Sequence, residues 1–203
     1  MLETLRKAIL SGELESGTPL VQAELSEQLG VSKTPIREAI RDLAAEGLID
    51  FDSYRSSIVH TPTLVEAREI YELRLALEPL AITRSVGAIA EVDLERAESL
   101  LAEMERVEDA GDWIRMNWQF HALLDDRKSA SRLNGIIVQL RNASAIQVAW
   151  SLQARPSLIK RADRDHAEIL GAYRRGDVDA AIRYSRHHLE TTLKAIESQA
   201  GKD

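Results

Sequence analysis

Residues 30–49 read GVSKTPIREAIRDLAAEGLI, and the periodicity of this stretch decides how the chain is to be read. At about 100° per residue, Lys33, Arg37 and Arg41 fall on one ridge of a helix, with Ile36, Ala39, Ile40 and Leu43 on the opposite side. One face is built to pack and the other to reach outward. Ser32 or Thr34 is placed to cap this helix, and Pro35 sits in the first turn, where backbone N–H groups lack intrahelical partners. The ridge is a local exception, because the 203-residue chain carries a formal charge of -7 and residues 1–63 hold 6 Lys/Arg against 10 Asp/Glu. Two readings stay open for the ridge alone. It is a solvated face whose charges pair locally, Glu38 with Arg41 or Asp42 among them, or it meets an anionic partner.

The flanking segments favour the second reading. Residues 2–11 form an expected helix with Leu2, Leu5, Ile9 and Leu10 on one side, closed by the Ser/Gly-rich turn region SGELESGTPL. VQAELSEQLG supplies a second helix with Val21, Leu25 and Leu29 spaced by four, stopped at Gly30. After Gly47, LIDFD and SSIVH alternate as two short strands around SYRS. Three helices and a hairpin in this order make a winged helix-turn-helix, whose second paired helix enters the DNA major groove. Lys33, Thr34 and Arg37 are then placed at base edges and phosphates, with Arg41 further along the ridge; an arginine fork suits guanine O6 and N7.

Beyond residue 64 the pattern is purely helical, with expected helices near 65–88, 92–110, 112–126, 130–153, 157–175 and 177–199, six in all. Gly111 and Gly176 read as stops, and Asp93, Asp112, Pro156 and Asp177 as starts. The expected fold is mainly α: an N-terminal winged helix-turn-helix over residues 1–63, followed by an all-α helical bundle over 64–203 that can enclose a cavity. No stretch approaches the roughly 18 apolar residues of a membrane span, and LETLRKAIL is too charged for a signal peptide, so a cytoplasmic protein without membrane contact is expected. The chain has no cysteine, so His, Asp, Glu and Asn are the available metal ligands.

NWQFH puts Asn117 and His121 at i and i+4, about 6 Å apart along a helix and on one side of it. His166 lies on the inward stripe of the helix containing DRDHAEIL. In SRHHLE, His188 continues the inward stripe of Ala181, Ser185, Thr192 and Ile196, whereas His187 shares a face with Arg183, Glu190 and Lys194. An inward histidine taken alone is more often a hydrogen-bonded core residue than a ligand. Three on three helices, with one oxygen donor, suit a divalent ion such as zinc, nickel, iron or manganese. Arg74 lies inward with Ile70, Leu77 and Ala81 and needs an anionic partner. That partner is Glu78 at i+4, a carboxylate of a bound effector, or both.

The stretch LRKAILSGELESGTPLVQAELSEQLGVSKTPIREAIRDLAAEGLI resembles the winged-helix domain of the GntR family of bacterial transcription regulators over about 45 residues. That resemblance implies double-stranded operator DNA bound by a homodimer. The wing DFDSYRSSIVHTP lacks the glycine usual at its tip and leaves Arg55 as its single base, the expected wing contact. Residues 64–203 resemble the FCD effector domain of the FadR-like subgroup. In that domain an Asp or Asn and three histidines bind a divalent metal beside the effector pocket, and Asn117, His121, His166 and His188 match this set. Six helices rather than seven resembles the VanR-like branch. Asn117 stands where aspartate is more usual, which removes a negative charge from the ion's surroundings.

Two other classes compete. A metal-dependent helical-bundle enzyme would use the same cluster to activate water, but HExxH, paired Glu-x-x-His, P-loop and dinucleotide motifs are all missing from the sequence. A ligand-binding module without a DNA role leaves the first 63 residues unexplained. The sequence therefore points to a DNA-binding regulator, not an enzyme: a repressor released by a small acidic effector bound beside a divalent metal.

Overall fold

The structure, a computed structural model, describes residues 1–51, 56–107, 109–125 and 131–200. The N-terminal part holds α1 (Leu2–Leu10), α2 (Gln22–Gln28), α3 (Lys33–Ala45) and an antiparallel hairpin of β1 (Ile49–Phe51) and β2 (Ser57–Val59). Ile36, Ala39, Ile40 and Leu43 of α3 are buried with Leu5, Ile9 and Leu25 in one core, and Lys33, Thr34, Arg37 and Arg41 are exposed. Ser32 takes the N-cap position of α3 without a side-chain cap bond. The turn region after α1 is more ordered than its composition suggests. Leu20 N–H donates to the Ser57 carbonyl at 2.7 Å and Val59 N–H to the Thr18 carbonyl at 2.9 Å, which adds an edge to the hairpin. Arg55, the expected wing contact, lies outside the described residues.

The second part contains α4 (Leu64–Ser85), α5 (Glu91–Met104), α6 (Ala110–Leu124), α7 (Arg132–Ala143), α8 (Ala145–Ala154), α9 (Ser157–Arg174) and α10 (Val178–Ala200). Two expectations need correction. The segment 130–153 is two helices, so seven rather than six are found among the described residues, and the helix count no longer favours the VanR-like branch. The break is at Ser144, whose hydroxyl donates to the Arg141 carbonyl at 3.0 Å and competes with the helical ladder. Gly111 is not a stop but lies in the first turn of α6, started by the Asp109 side chain accepting from Asp112 N–H at 2.8 Å. There α1 comes close: a Cβ on Gly111 would stand 3.8 Å from Leu10 Cβ.

A single buried cluster runs from Leu5, Ile9 and Leu10 into Trp113, Ile114 and Ile146, so the winged helix and the bundle share apolar contacts. A second tie crosses the connection. Thr63 and Glu66 form a capping box at the start of α4, and His60 bridges Asp50 of β1 at 2.7 Å and Glu66 of α4 at 3.0 Å. Burial acts to lower the His60 pKa, but the hydrogen bonds and charges of Asp50 and Glu66 outweigh it and raise it. Its folded pKa therefore exceeds its unfolded value of about 6.5. The resulting stabilisation is full below about pH 6.5 and is lost as pH rises through the folded pKa. Denaturant melts of wild type and His60→Gln at pH 6 to 9 should converge as pH rises, and a gap that stays constant would refute the bridge.

Candidate functional site

Two groups of polar residues stand apart from the rest of the molecule. The first is the outer face of α3. Lys33, Thr34 and Arg37 are exposed at its N-terminal half, and no hydrogen bond or ion pair engages Lys33 or Arg37 among the described residues. Local pairing on the ridge is confined to Arg41 and Asp42, 3.9 Å apart with the arginine side chain 77% exposed, a geometry that contributes little. The α3 ridge is thus a set of uncommitted cations on a helix fixed by its other face.

The second group lies inside the bundle. His121 from α6, His166 from α9 and His188 from α10 are all buried, and their candidate ligand atoms lie within 4.8 Å of one another. The ring centres of His166 and His188 are 4.7 Å apart, and those of His121 and His166 5.1 Å. Helical periodicity turned each ring inward, and His187 on the adjacent outer face of α10 is exposed. Burial first, and then Arg141 and the neighbouring imidazoles, pushes the His121 pKa well below its ordinary value. Burial and His188 do the same for His166. Neutral imidazoles keep the lone pairs that a metal requires.

The donor set also fits a metal by its unmet valence. Both ring nitrogens of His166 and the Asn117 Oδ1 are buried without a hydrogen-bond partner. Such groups cost about 1–3 kcal/mol each when nothing accepts or donates to them. His166 is wedged instead between Trp113, stacked with centres 5.8 Å apart, and Phe120 at 4.8 Å, contacts that fix its plane. His188 Nδ1 lies 3.3 Å from Asp165 Oδ2, an arrangement that directs Nε2 inward.

Next to the histidines is a cavity of about 60 Å³ whose lining includes Arg74, Asn117, Trp118, His121, Arg141 and His188. Arg74 Nε donates to Glu78 Oε1 at 2.9 Å, and its NH1 reaches the Ser144 hydroxyl at 3.5 Å. The intrahelical pair expected from i,i+4 spacing therefore forms, and Arg74 lines the cavity as well. Arg141 NH1 donates to Asp125 at 2.9 Å, with its Nε 3.6 Å from Glu78. Burial alone would raise the Glu78 pKa, but the two guanidinium groups prevail and lower it.

Sequence reasoning missed Arg141, Asp165 and Trp118. A signal existed for Arg141, which shares a helical face with the buried Ile137 and Ser144. Nothing in the sequence pairs Asp165 with His188 on another helix.

Comparison with known proteins agrees with this architecture. Residues 2–59 match the bacterial regulatory proteins of the gntR family, and residues 69–191 match the FCD domain. The HTH-type transcriptional repressor RspR of Escherichia coli is 28% identical over 95% of this chain and 85% of its own length. The HTH-type transcriptional regulator YdhC of Bacillus subtilis is 32% identical over 66% of this chain, which spans 61% of YdhC. The E. coli McbR/YncC structure has the same fold, with a TM-score of 0.81 at 22% identity, covering 98% of this chain and 96% of that one. The chain is thus a DNA-binding transcription regulator rather than an enzyme, and it belongs to the GntR family, with an FCD domain behind its winged helix.

Proposed function

We propose that this protein is a metabolite-responsive repressor in which residues 1–63 read operator DNA and residues 64–203 bind a small acidic effector beside a divalent metal. The observation that carries the effector half is the convergence of three buried imidazoles next to a cavity, with the His166 nitrogens and Asn117 Oδ1 left without partners. Asn117, His121, His166 and His188 would hold the ion, zinc, nickel or manganese, and the ion would supply an electrophilic anchor for an effector carboxylate. Arg74 and Arg141 are balanced by Glu78 and Asp125, whereas Arg161 in the cavity lining bonds the Thr191 hydroxyl, so the ion would add to the positive charge that an anionic ligand meets. A cavity of about 60 Å³ favours a small ligand. Repression fits the role given in RspR's name. A cytoplasmic location suits this role, and among the described residues no helix is long and apolar enough to cross a membrane.

In the DNA-reading half, Lys33, Thr34 and Arg37 are assigned to the major groove, Arg41 to the backbone beside it, and Arg55 to the wing contact. Arg37→Ala should cost about 1–3 kcal/mol of operator affinity and relax base preference. Lys33→Ala should weaken all sequences alike and lower the salt slope by about one unit. Gel shifts of both variants across a salt series read these outcomes, and unchanged binding by both would remove α3 from the interface.

A homodimer is proposed because two-fold operators mirror two-fold proteins. The face that best suits it is on α4, where Val65, Leu73 and Leu80 are 74%, 44% and 54% exposed and recur at helical spacing. Leu73→Glu should turn a dimer into a folded monomer in sedimentation. A dimer that persists unchanged rejects this face.

For the metal, Asn117→Asp should tighten zinc binding on the order of tenfold, by adding charge, and His121→Ala should loosen it by a similar factor. Competition with a chromophoric chelator measures both. If wild type takes up no divalent ion at micromolar levels, the histidines are core residues only.

A further inference from the structure

The end of α3 opposite its base-reading residues is fastened to the wall of the histidine cavity. Arg6 of α1, almost fully buried, donates from Nε and NH2 to the two carboxylate oxygens of Glu46 at 3.0 and 2.6 Å, and it also pairs with Glu3. Glu46 is the C-cap of α3. The Arg6 guanidinium carbon lies 5.6 Å from the centre of the Trp118 ring. Trp118 sits on α6 between Asn117 and His121, so it moves with two of the assigned ligands. The next residue of the α3 end, Gly47, is pressed on the bundle too. At φ +78° it adopts a left-handed backbone, and a Cβ there would stand 3.3 Å from Ala143. Ala143 precedes Ser144, which lines the cavity and accepts from Arg74. Between the two parts lies a cleft of about 540 Å³ that Arg6 and Glu46 line on one side. Trp118 and Arg141 line both this cleft and the histidine cavity.

We propose that Arg6 is a positioning residue that couples the histidine cavity to the recognition helix, by linking Glu46 of α3 to the Trp118 ring of α6. The inference rests on the cavity being the effector site. A bidentate guanidinium–carboxylate pair is directional and resists sliding, so α1, the α3 terminus and the indole move together. The 13 residues of α3 make a rod about 18 Å long. A tilt of about 5° at the Glu46 end carries the Lys33 end by roughly 1.5 Å, more than a hydrogen bond tolerates. A shift of α6 on ligand binding therefore reaches the DNA without any change within α3.

Coupling is reciprocal, so DNA can drive the test in place of an unidentified effector. The probe is an operator duplex selected by the protein itself from a random pool, added to the full-length chain, with amide hydrogen exchange as the readout. In wild type, DNA binding should change exchange in segments 114–121 and 140–147 by about fivefold or more. Arg6→Met and Glu46→Gln should still bind the duplex within about threefold, yet lose most of that change, and Arg6→Lys, which keeps charge without the fork, should fall between. Glu46→Gln carries the test if Arg6→Met does not fold. An unaltered response in the variants, or no response in wild type, overturns the coupling. Loss of zinc binding would overturn the metal assignment separately, because this experiment uses no metal.

Discussion

The centre of the bundle takes three imidazoles, two guanidinium groups and two carboxylates out of water, and the rest of the molecule is arranged around what that requires. Desolvated charges are tolerated when they are paired and hydrogen-bonded. Arg74, Glu78, Arg141 and Asp125 meet this condition as an alternating chain across α4, α7 and the end of α6. Two of the imidazoles meet it differently: burial and the nearby Arg141 disfavour protonation of His121, and burial together with His188 disfavours it at His166. The result is a nitrogen donor set beside a paired ionic chain, an environment suited to a divalent ion and an anionic ligand.

The same centre sets the relation between the two parts of the chain. Residues of α6 face inward to the histidines through Asn117 and His121 and face the winged helix through Trp118, while α1 packs on α6 and α8 through a continuous apolar core. Lys7 pairs with Asp112 at 3.1 Å, and Gln153 donates to the Leu10 carbonyl at 3.0 Å, so polar contacts flank that core. The recognition helix is consequently supported along its buried face by α1 and α2 and at its C-terminal end by the bundle itself.

Much of this was legible in the sequence because it is written in local periodicity. The α3 ridge, the hairpin after Gly47 and the inward histidine stripes each follow from the 3.6- and 2-residue repeats. Other features were hidden because they arise from competition or from long-range pairing. Ser144 interrupts a run of good helix formers through a side-chain bond to Arg141, which composition does not reveal. Gly111 reads as a terminator but lies in the first turn of α6, where a Cβ would stand 3.3 Å from the Asp109 Oδ1. The Arg6–Glu46 pair joins residues 40 positions apart, and Asp165 meets His188 from another helix, so neither is visible before the helices are docked.

The central claim is that the buried histidines form a metal centre rather than an ordinary polar core. X-ray absorption at the zinc edge, on full-length protein loaded with one equivalent of zinc, tests it most directly. The account predicts a spectrum dominated by imidazole nitrogen scattering, with one fewer imidazole in His166→Ala. A zinc environment of water and surface carboxylate oxygens, unchanged by that substitution, would contradict it.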